Sequence, residues 1–217
     1  MRTLVATGVT DGVGRAVMEG LFREEPFTAV LVGRSRDKLD GLVDELAKIS
    51  RASRFDIEVA DLSFVAEVRA LAQRILARHE PLDLLFQSAG TVPARLELTN
   101  EGIERSLAVS FVCRAQLYHE LKPMLLAAEN PLVFHVPSPG QNGKVYVDDL
   151  NLTKGFRATR SLLRHAQEGW NFLDGPLHEF IEAVLAHNNA WAITSTAVQR
   201  MSFFKTWISL RRMEPGK

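Results

Sequence analysis

A glycine-rich turn between a strand-like run and a helical pattern constrains this chain more than any other feature. Residues 3–6 are apolar or β-branched, and apolar residues recur at helical spacing from residue 16. The turn between them reads Thr7-Gly8-Val9-Thr10-Asp11-Gly12-Val13-Gly14-Arg15. Glycines let the backbone approach a ligand closely, and amide groups at a helix start favour negative charge. The turn therefore favours a bound pyrophosphate, with a ligand-free glycine-rich turn as the alternative.

Strand-like and helical patterns alternate through the first half of the sequence. Short apolar or β-branched runs occupy residues 3–6, 29–32, 55–59, 82–86 and 132–136. The segments between most of them carry apolar residues at helical spacing. Strands alternating with helices of this length imply a parallel sheet that helices cover on both faces. We therefore predict a Rossmann-like, doubly wound α/β fold with three α/β/α layers.

The second half of the sequence is less regular. It predicts helices over about 103–126 and 158–173, a loop over 137–155 and a last strand over 192–198. Few residues follow that strand, so a seventh strand is expected to be absent. The sequence contains no internal repeat or linker. We predict a single domain over residues 1–217, with the substrate region over about 137–217.

Composition narrows the possible partners and compartments. The chain has 26 basic and 26 acidic residues, and this balance argues against binding to nucleic acid. Its one cysteine, Cys113, lies in an apolar run, which predicts a buried, inert thiol rather than a nucleophile. No apolar stretch approaches the roughly 18 residues of a membrane span, and the N-terminus has no leader pattern. We therefore expect a cytoplasmic protein without a membrane partner.

Arg34 follows the second strand at the position where such folds discriminate between dinucleotides. An acid there reads a ribose 2′-hydroxyl, whereas an arginine accepts a 2′-phosphate. Arg34, helped by Arg15 or Arg36, therefore favours NADP(H) over NAD(H). The alternative is that these arginines form surface pairs with Asp37 and Asp40.

These motifs resemble those of the short-chain dehydrogenase/reductase family. The first turn is similar to its TGxxxGxG signature, Ala60-Asp61-Leu62-Ser63 to its adenine-contacting acid, and Gln87-Ser88-Ala89-Gly90 to its NNAG segment. The resemblance extends over about residues 3–200 and is most specific at the front. It implies the following coenzyme-contacting residues: Gly8, Thr10, Asp11, Gly12, Val13, Gly14, Arg34, Asp61, Leu62, Ala89 and Gly90.

The resemblance weakens at the catalytic tetrad of asparagine, serine, tyrosine and lysine. Ser138 matches the serine, whereas Ser110 falls at the asparagine. Leu162 falls at the tyrosine and Ala166 at the lysine. Leucine cannot donate a proton, and loss of a positioned acid typically costs about 10²–10⁴ in rate. The resemblance therefore implies a degenerate active site.

Two residues are candidates to replace the missing proton donor. Tyr146 lies in the predicted loop, and His165 lies beside the lysine position; histidine is the side chain whose charge can change near neutral pH. Packing of Tyr146 on the core and exposure of His165 to solvent are the alternatives. Tyr118 and Lys122 share a helix face, but Tyr118 is interpreted as a packing residue.

Three hypotheses for the function follow. The first is an NADP(H)-dependent oxidoreductase acting on a small, apolar carbonyl or alcohol substrate. The second is an isomerase, cyclase or lyase on the same scaffold, and the third is a binding or regulatory protein without catalysis. A homodimer is a possible assembly, since another subunit could cover the exposed sheet edge. The glycine turn favours the first two hypotheses, and the lost tyrosine and lysine favour the last two.

Overall fold

The chain folds around one parallel β-sheet. A computed structural model describes residues 1–79, 81–136 and 149–156, together with the backbone of 192–193. The strands are β1 (Arg2–Thr7), β2 (Phe27–Gly33), β3 (Arg54–Val59), β4 (Leu84–Gln87), β5 (Leu132–His135) and β6 (Ala192–Ile193). The helices are α1 (Gly12–Glu24), α2 (Arg36–Ile49), α3 (Val65–Leu76), α4 (Arg105–Leu107), a π-helical turn (Ala108–Val112) and α5 (Cys113–Leu126).

The strand order shows where a ligand site is expected in this sheet. Within the described residues the order is β3-β2-β1-β4-β5-β6, and every neighbouring pair is parallel. The chain changes direction across the sheet between β1 and β4. In open sheets of this kind, ligands bind outside the carboxyl ends of the strands at such a switch point.

Helices cover both faces of the sheet because successive strand residues point to opposite sides. Val5 packs in an apolar cluster with α3 and α5, whereas Leu4 packs in a second cluster with α1 and α2. Both side chains are fully buried. This three-layer arrangement confirms the predicted Rossmann-like α/β fold.

The structure corrects some predicted boundaries. The fourth strand begins at Leu84 rather than at residue 82, and the carboxylate of the preceding Asp83 accepts a hydrogen bond from the amide of Thr3 at 2.7 Å. The single helix predicted over 103–126 is interrupted by the π-helical turn. Of the predicted last strand, 192–193 are described. The helix predicted over 158–173 lies outside the described residues, and the single domain and absent seventh strand stay predictions.

Candidate functional site

The glycine-rich turn packs directly against the segment that follows β4. Gly8 has a φ of +68°, and a Cβ atom placed on it would overlap the backbone of Ser88 and Ala89. A Cβ atom on Gly14 would overlap the carbonyl oxygen of Gly8 and lie 3.0 Å from Ser88 Oγ. Both positions need glycine because no side chain fits between the turn and the neighbouring strand end.

Gly12 lies on the open side of the same turn. Its φ is +56°, and a Cβ atom placed on it would have no heavy atom within 4 Å beyond its immediate neighbours. Asp11 is the N-cap residue of α1, but its side chain makes no capping hydrogen bond, and the first turn of α1 holds no acidic residue. The first amide groups of α1 therefore keep their donors for an anion, which the helix dipole also favours.

Helices α2 and α3, like α1, are long helices that follow a strand, but side chains accept hydrogen bonds from amide groups at their amino ends. In α2, Ser35 Oγ accepts a hydrogen bond from the amide of Lys38 at 3.4 Å. In α3, the carboxylate of Glu101 accepts hydrogen bonds from the amides of Val65 and Ala66, at 2.8 and 3.1 Å. Among the described residues, no side chain does the same for α1. A bound anion would complete this open end.

Arg34 retains its hydrogen-bond donors at the carboxyl edge of the sheet. It is exposed directly after β2, and no described residue forms a hydrogen bond or an ion pair with it. By contrast, Arg36 Nε lies 3.1 Å from Asp40 Oδ2, and Arg15 pairs with Glu45. The surface-pair alternative therefore holds for Arg36 but not for Arg34.

The remaining residues of the glycine-rich turn have different surroundings. Thr10 is half-buried, whereas Val13 is 53% exposed. The carboxylate of Asp11 lies 3.1 Å from Lys38 Nζ of α2. Both partners of this pair are largely exposed, so the pair contributes little to stability. It turns the negative charge of Asp11 towards α2, away from a capping position.

Asp61 and Leu62 form a tight turn after β3. Asp61 Oδ1 accepts hydrogen bonds from the amide and the hydroxyl of Ser63, at 3.0 and 2.7 Å. Asp61 Oδ2 lies 3.2 Å from Arg105 Nη2, and Leu62 is 9% exposed. Each carboxylate oxygen can accept more than one hydrogen bond, so Asp61 keeps acceptor capacity beyond the carboxyl end of β3.

Ser110 lies inside the π-helical turn, beside the segment that follows β4. A Cβ atom placed on Gly90 would lie 3.6 Å from Ser110 Oγ and 3.8 Å from Arg114 Nη2. Such wide turns occur mostly as single turns within α-helices and are frequent at functional sites. The fold thus brings together Gly8, Ala89, Gly90 and Ser110, all of which the sequence singled out.

Arg114 is a site residue that sequence reasoning missed. Its Nε donates to the carbonyl oxygen of Ala89 at 3.1 Å, and its Nη1 donates to the carbonyl oxygen of Val136 at 3.1 Å. Burial lowers the pKa of Arg114 to about 10. The available signal was one cation within the apolar run that contains Cys113.

Asn151 joins a later segment to the loop before the π-helical turn. Its Oδ1 accepts a hydrogen bond from the amide of Glu104, and its Nδ2 donates to the carbonyl oxygen of Gly102, both at 2.8 Å. Glu104 is fully buried, and its carboxylate accepts hydrogen bonds from the amides of Ser106 and Leu107. Residues 149–156 are therefore anchored beside the helix that carries Ser110.

Two interpretations of side chains near the π-helical turn are confirmed. Cys113 is 2% exposed, and burial raises the pKa of its thiol to about 12, which disfavours the nucleophilic thiolate. Tyr118 packs against the cluster that contains Val5, and burial raises the pKa of its phenol. Among the residues that the structure describes, none forms a hydrogen bond with its buried hydroxyl.

Several predicted site residues lie outside the described part of the chain. They are Ser138, Tyr146, Leu162, His165 and Ala166. Among the described residues, no helix is both long and apolar enough to cross a bilayer. The same residues contain no group of three or more histidine, cysteine, aspartate or glutamate side chains suited to hold a metal ion.

Comparison with known proteins identifies the family. The model of the short chain dehydrogenase family matches residues 2–147, which is more than half of the chain. The sheet order and the glycine turn described above agree with this match. The chain belongs to the short chain dehydrogenase family.

Two curated relatives share 30% of their aligned residues with this chain. An oxidoreductase of Emericella nidulans is 30% identical over 158 residues, which cover 71% of this chain and 47% of the relative. The oxidoreductase andH of Emericella variicolor is 30% identical over 164 residues, covering 73% and 48%. This chain thus spans about half the length of these curated relatives.

A solved structure shares the fold. A metagenomic short-chain oxidoreductase, crystallised in complex with NADP, superposes with a TM-score of 0.58 at 21% identity. The match covers 79% of this chain and 76% of that protein. At this identity the likeness supports the fold alone.

Proposed function

We propose that this protein binds NADP(H) and acts as an oxidoreductase on a small carbonyl or alcohol substrate. The observation that carries the proposal is the uncapped amino end of α1 beside Gly12, at the switch point of the sheet. Backbone amides at such an end bind phosphate oxygens without the cost of reorganising a side chain. Membership of the short chain dehydrogenase family and the NADP complex of a structural neighbour support the same coenzyme.

The residues present fit this coenzyme. Gly8, Gly12 and Gly14 provide the close backbone turn and the open amide groups for the pyrophosphate. The exposed guanidinium of Arg34, which has no described partner, suits a 2′-phosphate. Asp61 would accept a hydrogen bond from the adenine, beside the buried Leu62. When bound, NADPH supplies a hydride for the reduction of a carbonyl group.

Ala89 and Gly90 would line the proposed coenzyme site, next to Thr10, Asp11 and Val13 of the glycine-rich turn. Gly90 is exposed and Ala89 is half-buried. The absence of a Cβ atom on Gly90 leaves its exposed side open to a ligand. These backbone surfaces would exclude water from one side of a bound coenzyme.

The proposed catalytic centre is degenerate. Ser138 would orient the substrate oxygen, and Tyr146 or His165 would supply the proton in place of the family tyrosine. The basis is the sequence alone: Leu162 and Ala166 stand at the tyrosine and lysine positions, and neither side chain carries or moves a proton. We also propose a single domain over residues 1–217, a cytoplasmic location, an apolar substrate and a homodimer.

Leu162 and Ala166 also favour a second candidate function. A chain without the proton donor could use the scaffold for an isomerisation, cyclisation or elimination, or bind the nucleotide for regulation alone. Such a protein would hold NADPH without oxidising it.

A turnover assay separates these candidates. Oxidation of NADPH across a panel of small carbonyl compounds, followed by absorbance, supports the oxidoreductase. Binding without oxidation across the whole panel favours the second candidate. With an active substrate in hand, Ser138→Ala is expected to lower kcat, and an unchanged kcat would show that Ser138 does not face the substrate.

A further inference from the structure

We propose that Arg114 is a positioning residue that holds the segments after β4 and β5 in place for the coenzyme and the substrate. The expected effect on coenzyme affinity rests on the proposed function, whereas the expected effect on backbone mobility does not. The guanidinium of Arg114 bridges the carbonyl oxygen of Ala89, after β4, and that of Val136, after β5. It therefore ties together two neighbouring strand ends.

The Arg114 contacts differ from those of an ordinary buried ion pair. The structure gives Arg114 no carboxylate partner among the described residues, and its bonded acceptors are backbone carbonyl oxygens. A half-buried cation with no carboxylate partner among the described residues costs free energy, so these residues give little reason in stability alone for an arginine here. The rigid, planar fork of guanidinium donors can hold two carbonyl groups at a fixed spacing, whereas an aliphatic side chain has no donors and an ammonium group has no rigid fork.

Gln87 holds the backbone of Arg114 in return. Gln87 Nε2, from the last residue of β4, donates to the carbonyl oxygen of Arg114 at 3.1 Å. Gln87 is fully buried, so this bond is shielded from water. Backbone and side chain of Arg114 are thus both fastened to β4 and its following segment, immediately after the π-helical turn that contains Ser110.

The segment fastened after β4 carries candidate site residues, and the described end of the segment after β5 lies close in sequence to another. Ala89 precedes Gly90, and a Cβ atom on Gly90 would lie 3.8 Å from Arg114 Nη2. Val136 is the last residue of the described range 81–136 and precedes Ser138 by two positions in the sequence. Loss of the guanidinium would release both carbonyl groups together, so one substitution should loosen two segments that are far apart in sequence.

Arg114→Ala tests this role, with Arg2→Ala as the matched control. Arg2 is also partly buried, but it pairs with Glu25 at 2.9 Å at the amino end of β1, opposite the candidate site. The first measurement is amide hydrogen exchange over residues 87–92 and 132–136 of the coenzyme-free protein. The second is the Kd for NADPH. Both measurements are made with and without guanidinium chloride at a concentration far below the denaturing range.

For Arg114→Ala we expect faster exchange in both segments and an NADPH Kd raised about tenfold, the loss that one charge-assisted hydrogen bond typically carries. Added guanidinium should restore both, whereas an equal concentration of sodium chloride should not. Arg2→Ala should leave both readouts as in the unsubstituted protein. Should Arg114→Ala fail to fold, Arg114→Lys replaces it and is followed by the same two measurements. We expect the lysine ammonium group not to substitute for the guanidinium, so exchange and Kd should change as in Arg114→Ala.

Exchange that changes equally in Arg114→Ala and Arg2→Ala, or equally along the whole chain, would overturn the positioning role. So would restoration by sodium chloride. If the unsubstituted protein binds no NADPH, the proposed function fails, and the exchange pattern alone then decides the role of Arg114.

Discussion

Gly8 and Ala89 are in such close backbone contact that no Cβ atom fits on Gly8. The contact joins the turn after β1 to the segment after β4, across the switch point of the sheet. At this contact the candidate coenzyme site is therefore formed by backbone atoms. Substitutions that add side-chain atoms there should act on stability and binding together.

Gly8→Ala should destabilise the fold by about 2–5 kcal/mol. Alanine would have to adopt the left-handed conformation of Gly8, and its Cβ atom would overlap the backbone of Ala89. Gly20→Ala, within α1, is the control: apart from its own stretch of helix, no heavy atom lies within 4 Å of its Cβ position, so it should stabilise by about 0.5–1 kcal/mol. Urea unfolding of both variants measures the difference. Equal stability of the two variants would show that the Gly8 contact is not tight.

Arg34→Ala should weaken NADPH binding about tenfold to a hundredfold, because a charge-assisted contact to the 2′-phosphate is lost. The affinity for NADH should stay nearly unchanged. Arg36→Ala is the control, since Arg36 already pairs with Asp40. Titration of each variant with both coenzymes provides the measurement. A loss of the same size for NADPH and NADH would argue against a 2′-phosphate contact by Arg34.

Cys113 should make stability fall at high pH. Its thiol pKa is raised from 9.0 to about 12 by burial, so between these values the folded state binds more protons than the unfolded state. The stabilisation is complete below the unfolded pKa and is lost as the pH rises through the folded pKa. Urea unfolding as a function of pH should show a smaller decline for Cys113→Ala. Fast labelling of the native thiol at neutral pH would contradict this account.

Asn151→Ala should loosen residues 149–156, because two hydrogen bonds at 2.8 Å to the loop before α4 are lost. We expect a loss of about 1–3 kcal/mol in local stability and faster proteolysis of this segment. Asn100→Ala, at an exposed loop position, is the control. Unchanged proteolysis in Asn151→Ala would mean that other contacts hold the segment.

The fold was predictable because its signals are local. Alternating periodicities gave the parallel sheet, and the glycine turn with its flanking strand and helix gave the position of α1. Arg34 was also identified from its distance along the chain, and the structure leaves its guanidinium without a described partner.

Other features depend on contacts between residues distant in sequence. Arg114 reaches Ala89 and Val136, at separations of 25 and 22 residues, and no period in the sequence reports such bonds. The π-helical turn has no sequence signature either, because its extra residue leaves the apolar spacing nearly helical. Asp61 was predicted from a motif, but its pairing with Arg105 required the folded chain.

Calorimetric titration of the unsubstituted protein with NADPH, and separately with NADH, tests the coenzyme proposal most directly. The open end of α1 and Arg34, which has no partner among the described residues, predict binding of NADPH at one site per chain, at least about tenfold tighter than NADH. No heat of binding for either coenzyme at millimolar concentration would contradict the account.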